Sequence, residues 1–240
     1  MIKSDRMGFL GIIFDFDGVI ADTEPLHLKA YQEVLAGTAM NLDSKSYFKH
    51  YLGYDDVGVF SNVAKDQDHS LNDSELRKLI DEKSKVFQTL VKQNNVLFPY
   101  ADSCIRELAE TVPLGIASGA LHEEIELILE TYGLRRYFGA IVAADDVHKS
   151  KPAPDTYIKT VQLLNRNHSS RNSGSYVAIE DSLWGIDAAH SAGLKCIAIT
   201  NSYPASVLVS ADLVIDKLSE VTIQVLEHII KNIPRVDAAD

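Results

Sequence analysis

The apolar run Phe9-Leu10-Gly11-Ile12-Ile13-Phe14 has no polar alternation and ends in Asp15-Phe16-Asp17-Gly18. Such a short run is what a strand buried on both faces of a parallel sheet requires, because helices cover both of its sides. Side chains two apart on a strand share a face, so the spacing predicts Asp15 and Asp17 aimed the same way. Two ionised carboxylates that close raise each other's pKa unless a cation lies between them. Oxygen ligands of this kind suit Mg²⁺. Gly18 lets the chain turn sharply straight after the pair. Taken alone, Asp-x-Asp-Gly reads better as an acidic turn closing a strand.

The rest of the chain changes that balance. From about Asp22 to Leu97 the patterns are helical. Thr23 is placed to cap a helix with Pro25 in its first turn and Leu26, Ala30 and Val34 on one face. Further helices are expected around Tyr47–Leu52 (ending near Gly53), around Val57–Val63, and from Asp73 or Ser74 through Leu90. Beyond Phe98-Pro99-Tyr100 the texture alternates strand with helix. The expected strands are 113–118, 140–145, 176–181, 196–200 and 213–216, with helices at 103–111, 122–132, 154–165, 184–192 and 221–231. Asn165 to Ser175 reads as an exposed polar loop. This alternation predicts an α/β fold, a doubly wound parallel sheet carrying an inserted all-helical domain. The expected boundaries are 1–21 and 99–240 for the α/β part and 22–98 for the insert.

Each expected strand stops at a small polar or acidic residue: Asp15, Ser118, Asp145, Asp181, Thr200 and Asp216. Parallel strands share a direction, so these residues gather along one edge, beyond which open α/β sheets bind their ligands. Asp145 and Asp216 read as turn or cap residues.

A formal charge of −11 argues against nucleic acid and against anionic membrane surfaces as partners. An anionic substrate would need local positive charge from a metal, a few lysines and helix N-termini. Cys104 and Cys196 show no metal or redox spacing, and a reducing, cytoplasmic location is expected. Met1 to Arg6 and the apolar run after it faintly resemble a secretory leader, but Asp15 ends the run and no small-residue cleavage site follows, so the first strand is expected there. There is no Ser-hydrolase elbow, P-loop or dinucleotide fingerprint, and His122-Glu123-Glu124 is not a zinc-protease motif.

Four segments stand in order: Asp15-Phe16-Asp17-Gly18, Ser118-Gly119, Ser150-Lys151-Pro152 and Glu180-Asp181-Ser182. Together they resemble the signatures of the haloacid dehalogenase-like hydrolase superfamily. The longer strings from Phe14 to Thr23, from Ser150 to Asp155 and from Ile179 to Ser182 are similar to the branch holding phosphoglycolate-type phosphatases and β-phosphoglucomutase. The resemblance implies a Rossmann-like core with a helical cap that opens and closes over the cleft, with hinges near 21–23 and 98–100.

It also implies roles. Asp15 is the expected nucleophile and Asp17 the acid and base. Asp15, the Asp17 carbonyl, Glu180 and Asp181 are the expected Mg²⁺ ligands. Ser118, the amides of Gly119 and Ala120, and Lys151 are expected to hold the phosphate. His27 is a candidate substrate-side residue by the same resemblance, against a purely structural histidine. Lys83 is expected on a solvated face of the long helix, with a reach into the cleft as the alternative. The expected activity is hydrolysis of a small phosphorylated metabolite by a monomer. A β-phosphoglucomutase-like transfer is the alternative, and a dehalogenase and a non-catalytic binding protein rank below it. Mutases of this kind carry basic residues in a cap loop, whereas His50 to Asp56 holds two acids and no Lys or Arg.

Overall fold

The computed structural model describes residues 11–52, 54–166 and 176–232. The opening residues, Gly53 and most of the expected 165–175 loop lie outside that set. The chain divides into two compact units, one of residues 1–22 with 97–240 and one of residues 23–96.

The first unit is built on six parallel strands: β1 (Gly11–Phe14), β2 (Leu114–Ala117), β3 (Phe138–Val142), β4 (Tyr176–Glu180), β5 (Lys195–Ile199) and β6 (Leu213–Ile215). Their order in the sheet is β3-β2-β1-β4-β5-β6, with helices on both sides. The four residues of β1 and all five of β4 and β5 are buried, as strands covered on both faces must be. Helices α5 (Ala101–Ala109), α6 (His122–Thr131), α7 (Asp155–Asn165), α8 (Leu183–Ser191) and α9 (Ile223–Asn232) connect or follow the strands. Tyr157 and Val161 of α7 and Ile186 and Ala189 of α8 share one core with Ile13, Ala178 and Cys196 of the sheet.

β3 lies earlier than the apolar pattern suggested, because Ala144–Asp146 turns as a 3-10 helix. Asp145 does act as a cap, accepting from the His122 N–H at 3.0 Å. The strand order reverses its direction of growth between β1 and β4, which is where a crevice opens at the carboxyl ends of a doubly wound sheet.

The second unit holds α1 (Glu24–Leu35), α2 (Ser44–Ser46) running into a π-helical turn (Tyr47–Tyr51), α3 (Asp56–Asp66) and α4 (Asp73–Gln93). Thr23 precedes α1 in helical geometry and its side chain makes no capping bond, contrary to expectation. Asn72 caps α4, with Glu75 completing a capping box. The two chain crossings are tied together by a bridge between Ala21 and Leu97 and by the Phe98 N–H donating to the Ile20 carbonyl at 3.0 Å.

Candidate functional site

Asp15 leaves β1 with its N–H donating to the Ile179 carbonyl of β4 at 2.8 Å. That bond continues the register pairing Phe14 with Ile179, so Asp15 stands beside Glu180 and Asp181 at the strand ends. All three side chains are buried, and one carboxylate oxygen from each lies within 4.8 Å of the others. Lys151, on the loop before α7, donates to Asp15 Oδ1 at 2.7 Å and to Glu180 Oε1 at 2.5 Å.

One ammonium does not balance three carboxylates. Burial pushes the Asp15 carboxyl well above the usual range, and Glu180 and Asp181 add to this against the pull of Lys151. Asp181 is pushed up to about 7, by burial first and by Glu180, with a hydrogen bond from Ser202 opposing. Burial works against the Lys151 charge, but Asp15 and Glu180 outweigh it and hold the group above its ordinary value. Surplus negative charge on clustered oxygen donors fits a hard divalent cation such as Mg²⁺.

Two glycines make room for the acids. A Cβ on Gly18, which has φ +78°, would overlap the Asp181 carboxylate, and one on Gly185 would overlap that of Glu180.

Asp17 is half-buried and is not one of the three clustered carboxylates. The strand ends at Phe14, so Asp17 belongs to the turn and strand alternation does not orient it. Its charge nonetheless helps raise Asp181. Ser118 is fully buried at the end of β2, its Oγ accepting from the Ala120 N–H at 3.0 Å. Gly119 is exposed, with nothing within 4 Å of where a Cβ would stand.

His27 and Lys83 lie in the helical unit. Lys83 is buried, 1% exposed, which corrects the expectation of a solvated lysine. Its ammonium donates to Asp56 Oδ1 at 2.7 Å and to His27 Nδ1 at 2.9 Å. It also lies 5.0 Å from the centre of the Tyr31 ring. His27 stacks on Phe87 at 4.2 Å between centroids. Burial first, and Lys83 second, hold its pKa well below the ordinary histidine value.

Three further residues complete the core site. The Tyr157 hydroxyl donates to Glu180 Oε1 at 2.7 Å, Ser202 donates to Asp181, and Asn201 Nδ2 donates to the Gly18 carbonyl at 2.7 Å. Asn201 and Ser202 follow Thr200, already marked as a strand end, and that regularity was the signal for them. Tyr157 carries no such signal.

The profile of the family described as Haloacid dehalogenase-like hydrolase matches residues 12–199. Fructose-1-phosphate phosphatase YqaB of Escherichia coli (strain K12) is 30% identical over 193 residues, covering 80% of this chain and 96% of the relative. Phosphorylated carbohydrates phosphatase of Thermotoga maritima is 29% identical over 202 residues, covering 78% and 82% respectively. The crystal structure of CbbY from Rhodobacter sphaeroides in complex with phosphate superposes with a TM-score of 0.76 at 26% identity, over 89% of this chain and 96% of that one. The chain belongs to the haloacid dehalogenase-like hydrolase family, in its phosphatase and β-phosphoglucomutase-like branch.

Proposed function

We propose that this chain is a Mg²⁺-dependent phosphatase that hydrolyses a small phosphorylated sugar through an aspartyl-phosphate on Asp15. The observation that carries this reading is the buried cluster of Asp15, Glu180 and Asp181 around Lys151. The activities for which the two phosphatase relatives are named support it.

In the first step an Asp15 oxygen bonds to phosphorus while the ester P–O bond breaks, and Asp17 gives its proton to the departing alkoxide. In the second step Asp17 takes a proton from water, the water oxygen bonds to phosphorus and the bond to Asp15 breaks. Lys151, the Ser118 hydroxyl and the Gly119 amide are assigned to the phosphate oxygens, while the Ala120 N–H, expected there too, donates to Ser118 Oγ instead. Asp15, the Asp17 carbonyl, Glu180 and Asp181 are the residues assigned to hold Mg²⁺. When bound, that ion offsets the repulsion between a carboxylate nucleophile and an anionic phosphate.

Residues 22–98 are proposed as the cap domain that sets substrate choice, with His27 among its substrate-side candidates. Hydrolysis is favoured over mutase transfer by the acids of the 50–56 stretch. Asp55 caps α3 through the Gly58 N–H at 2.7 Å, and Asp56 is held by Lys83 and Tyr31. A second anionic group of a bisphosphate would meet the Asp55 carboxylate there, since the charge of Asp56 is already matched by Lys83. The protein is proposed to act as a cytoplasmic monomer, where the buried thiols Cys104 and Cys196 stay reduced. No helix among the described residues is long and apolar enough to cross a membrane.

A steady-state assay decides between the readings. Phosphate release from an aryl phosphate that needs Mg²⁺ and is lost in Asp15→Asn supports the phosphatase. Glucose 6-phosphate formed from β-glucose 1-phosphate supports the mutase. A folded, Mg²⁺-binding protein that turns over no ester contradicts both.

A further inference from the structure

Both oxygens of Glu180 are engaged within the protein. Its Oε1 accepts from Lys151 at 2.5 Å and from the Tyr157 hydroxyl at 2.7 Å. Its Oε2 accepts from the Asp181 N–H at 3.1 Å and from the Ser182 hydroxyl at 3.2 Å. Tyr157 itself is fully buried on the first turn of α7, four residues after the loop that carries Lys151 ends at Ala153. Its ring also lies under the Lys151 ammonium, 5.0 Å from centroid to Nζ, within range of a cation–π contact. One side chain therefore touches both partners of the lysine–glutamate pair.

We propose that Tyr157 is a positioning residue that keeps Lys151 aimed at Asp15. Asp15 and Glu180 compete for the same ammonium, at 2.7 and 2.5 Å. The Tyr157 hydroxyl meets part of the hydrogen-bonding demand of Glu180 Oε1. Without it that oxygen is answered by Lys151 alone, and the ammonium is drawn toward Glu180 and away from Asp15. The ring blocks the sideways slip that would let this happen. An ammonium has three N–H donors, and Asp15 and Glu180 take two. The direction of the third, toward an incoming phosphate oxygen, is fixed by the same clamp.

The consequence for turnover rests on the phosphatase reading above. Tyr157→Phe keeps the ring and the packing and removes only the hydroxyl. With an aryl phosphate and saturating Mg²⁺, kcat of Tyr157→Phe is expected to fall roughly tenfold with KM within about twofold, the signature of a group misplaced for the transition state. Tyr157→Leu, which removes the ring as well, is expected to fall roughly a hundredfold per folded molecule by circular dichroism. In a Glu180→Gln background, Tyr157→Phe is expected to cost less than about twofold, because the two act through one contact.

Unchanged kcat and KM in Tyr157→Phe overturn the proposal, as does an undiminished tenfold cost in the Glu180→Gln background. A loss in Tyr157→Leu that only follows the lost folded fraction overturns it too. A wild type without Mg²⁺-dependent turnover would instead defeat the phosphatase reading on which the proposal rests, so the two failures are told apart.

Discussion

Lys83 of the helical unit and Lys151 of the α/β unit have side chains only 1% and 11% exposed, and the two differ in what surrounds them. Lys83 of the helical unit meets one carboxylate, Asp56, together with the His27 ring nitrogen and two aromatic faces. Lys151 of the α/β unit meets Asp15 and Glu180, with Asp181 beside them. In the first cluster plus and minus are matched, and the histidine next to them is held neutral by burial and by Lys83. In the second, acids outnumber the cation and two of their pKa values are driven upward. A balanced buried pair is compatible with architecture alone. An unbalanced one costs folding stability and persists where chemistry needs it.

The largest expected effect separates the two clusters by activity. Asp15→Asn is expected to lower kcat by at least about a thousandfold, because no second nucleophile replaces it. Its melting temperature is expected to stay level or rise, since the removed charge stood against Glu180 and Asp181. A falling melting temperature would show that Asp15 is held as tightly matched as Asp56 is.

Lys83→Ala tests the opposite case. It leaves Asp56, whose side chain is 21% exposed, without its cation, and a loss of about 3 kcal/mol of stability is expected in urea titrations. A loss under about 1 kcal/mol would mean that the pair contributes no more than an exposed surface bridge.

Mg²⁺ comes next. At a hundred times its dissociation constant it is expected to stabilise the wild type by about 2.7 kcal/mol. That gain is expected to vanish in Asp181→Asn and to survive in Lys83→Ala. Equal gains in both variants would place the ion elsewhere.

The smallest effect concerns a matched cluster inside the α/β unit itself. Burial opposes the charge of Asp212, but His190, the Cys196 N–H and Lys195 hydrogen-bond it and hold its pKa at about 2. A carboxyl lowered by folding stabilises the native state above its unfolded pKa of about 4 and loses that contribution as pH falls toward 2. Asp212→Asn is therefore expected to be less stable at pH 7 by about 2 kcal/mol. The gap to the wild type should close as acid is added between pH 4 and 2. A gap that persists to pH 2 would assign the loss to geometry and not to charge.

The fold was largely legible because its signals are local. Apolar runs without alternation marked β1, β4 and β5, and the long helix expected from Asp73 or Ser74 does begin at Asp73. The motif order placed Asp15, Ser118, Lys151 and Asp181 at strand ends or on the loop beside them, and the register of β1 on β4 brings Asp15 to Glu180. What stayed hidden depends on partners distant in the chain. Tyr157 reads as an apolar position on α7, and only the sheet brings its hydroxyl to Glu180, 23 residues on. Lys83 reads as a surface residue because Asp56 and His27, 27 and 56 residues away, are what make its burial tolerable. Asp17 was oriented by a strand that ends three residues earlier.

Acid-quenching the enzyme during turnover of a phosphate monoester with Mg²⁺, followed by mass spectrometry of its peptides, tests the central claim most directly. The account predicts a phosphoryl group on Asp15, absent without Mg²⁺ and absent in Asp15→Asn. Turnover with Asp15 unmodified, or a phosphoryl group trapped on another side chain, would contradict it.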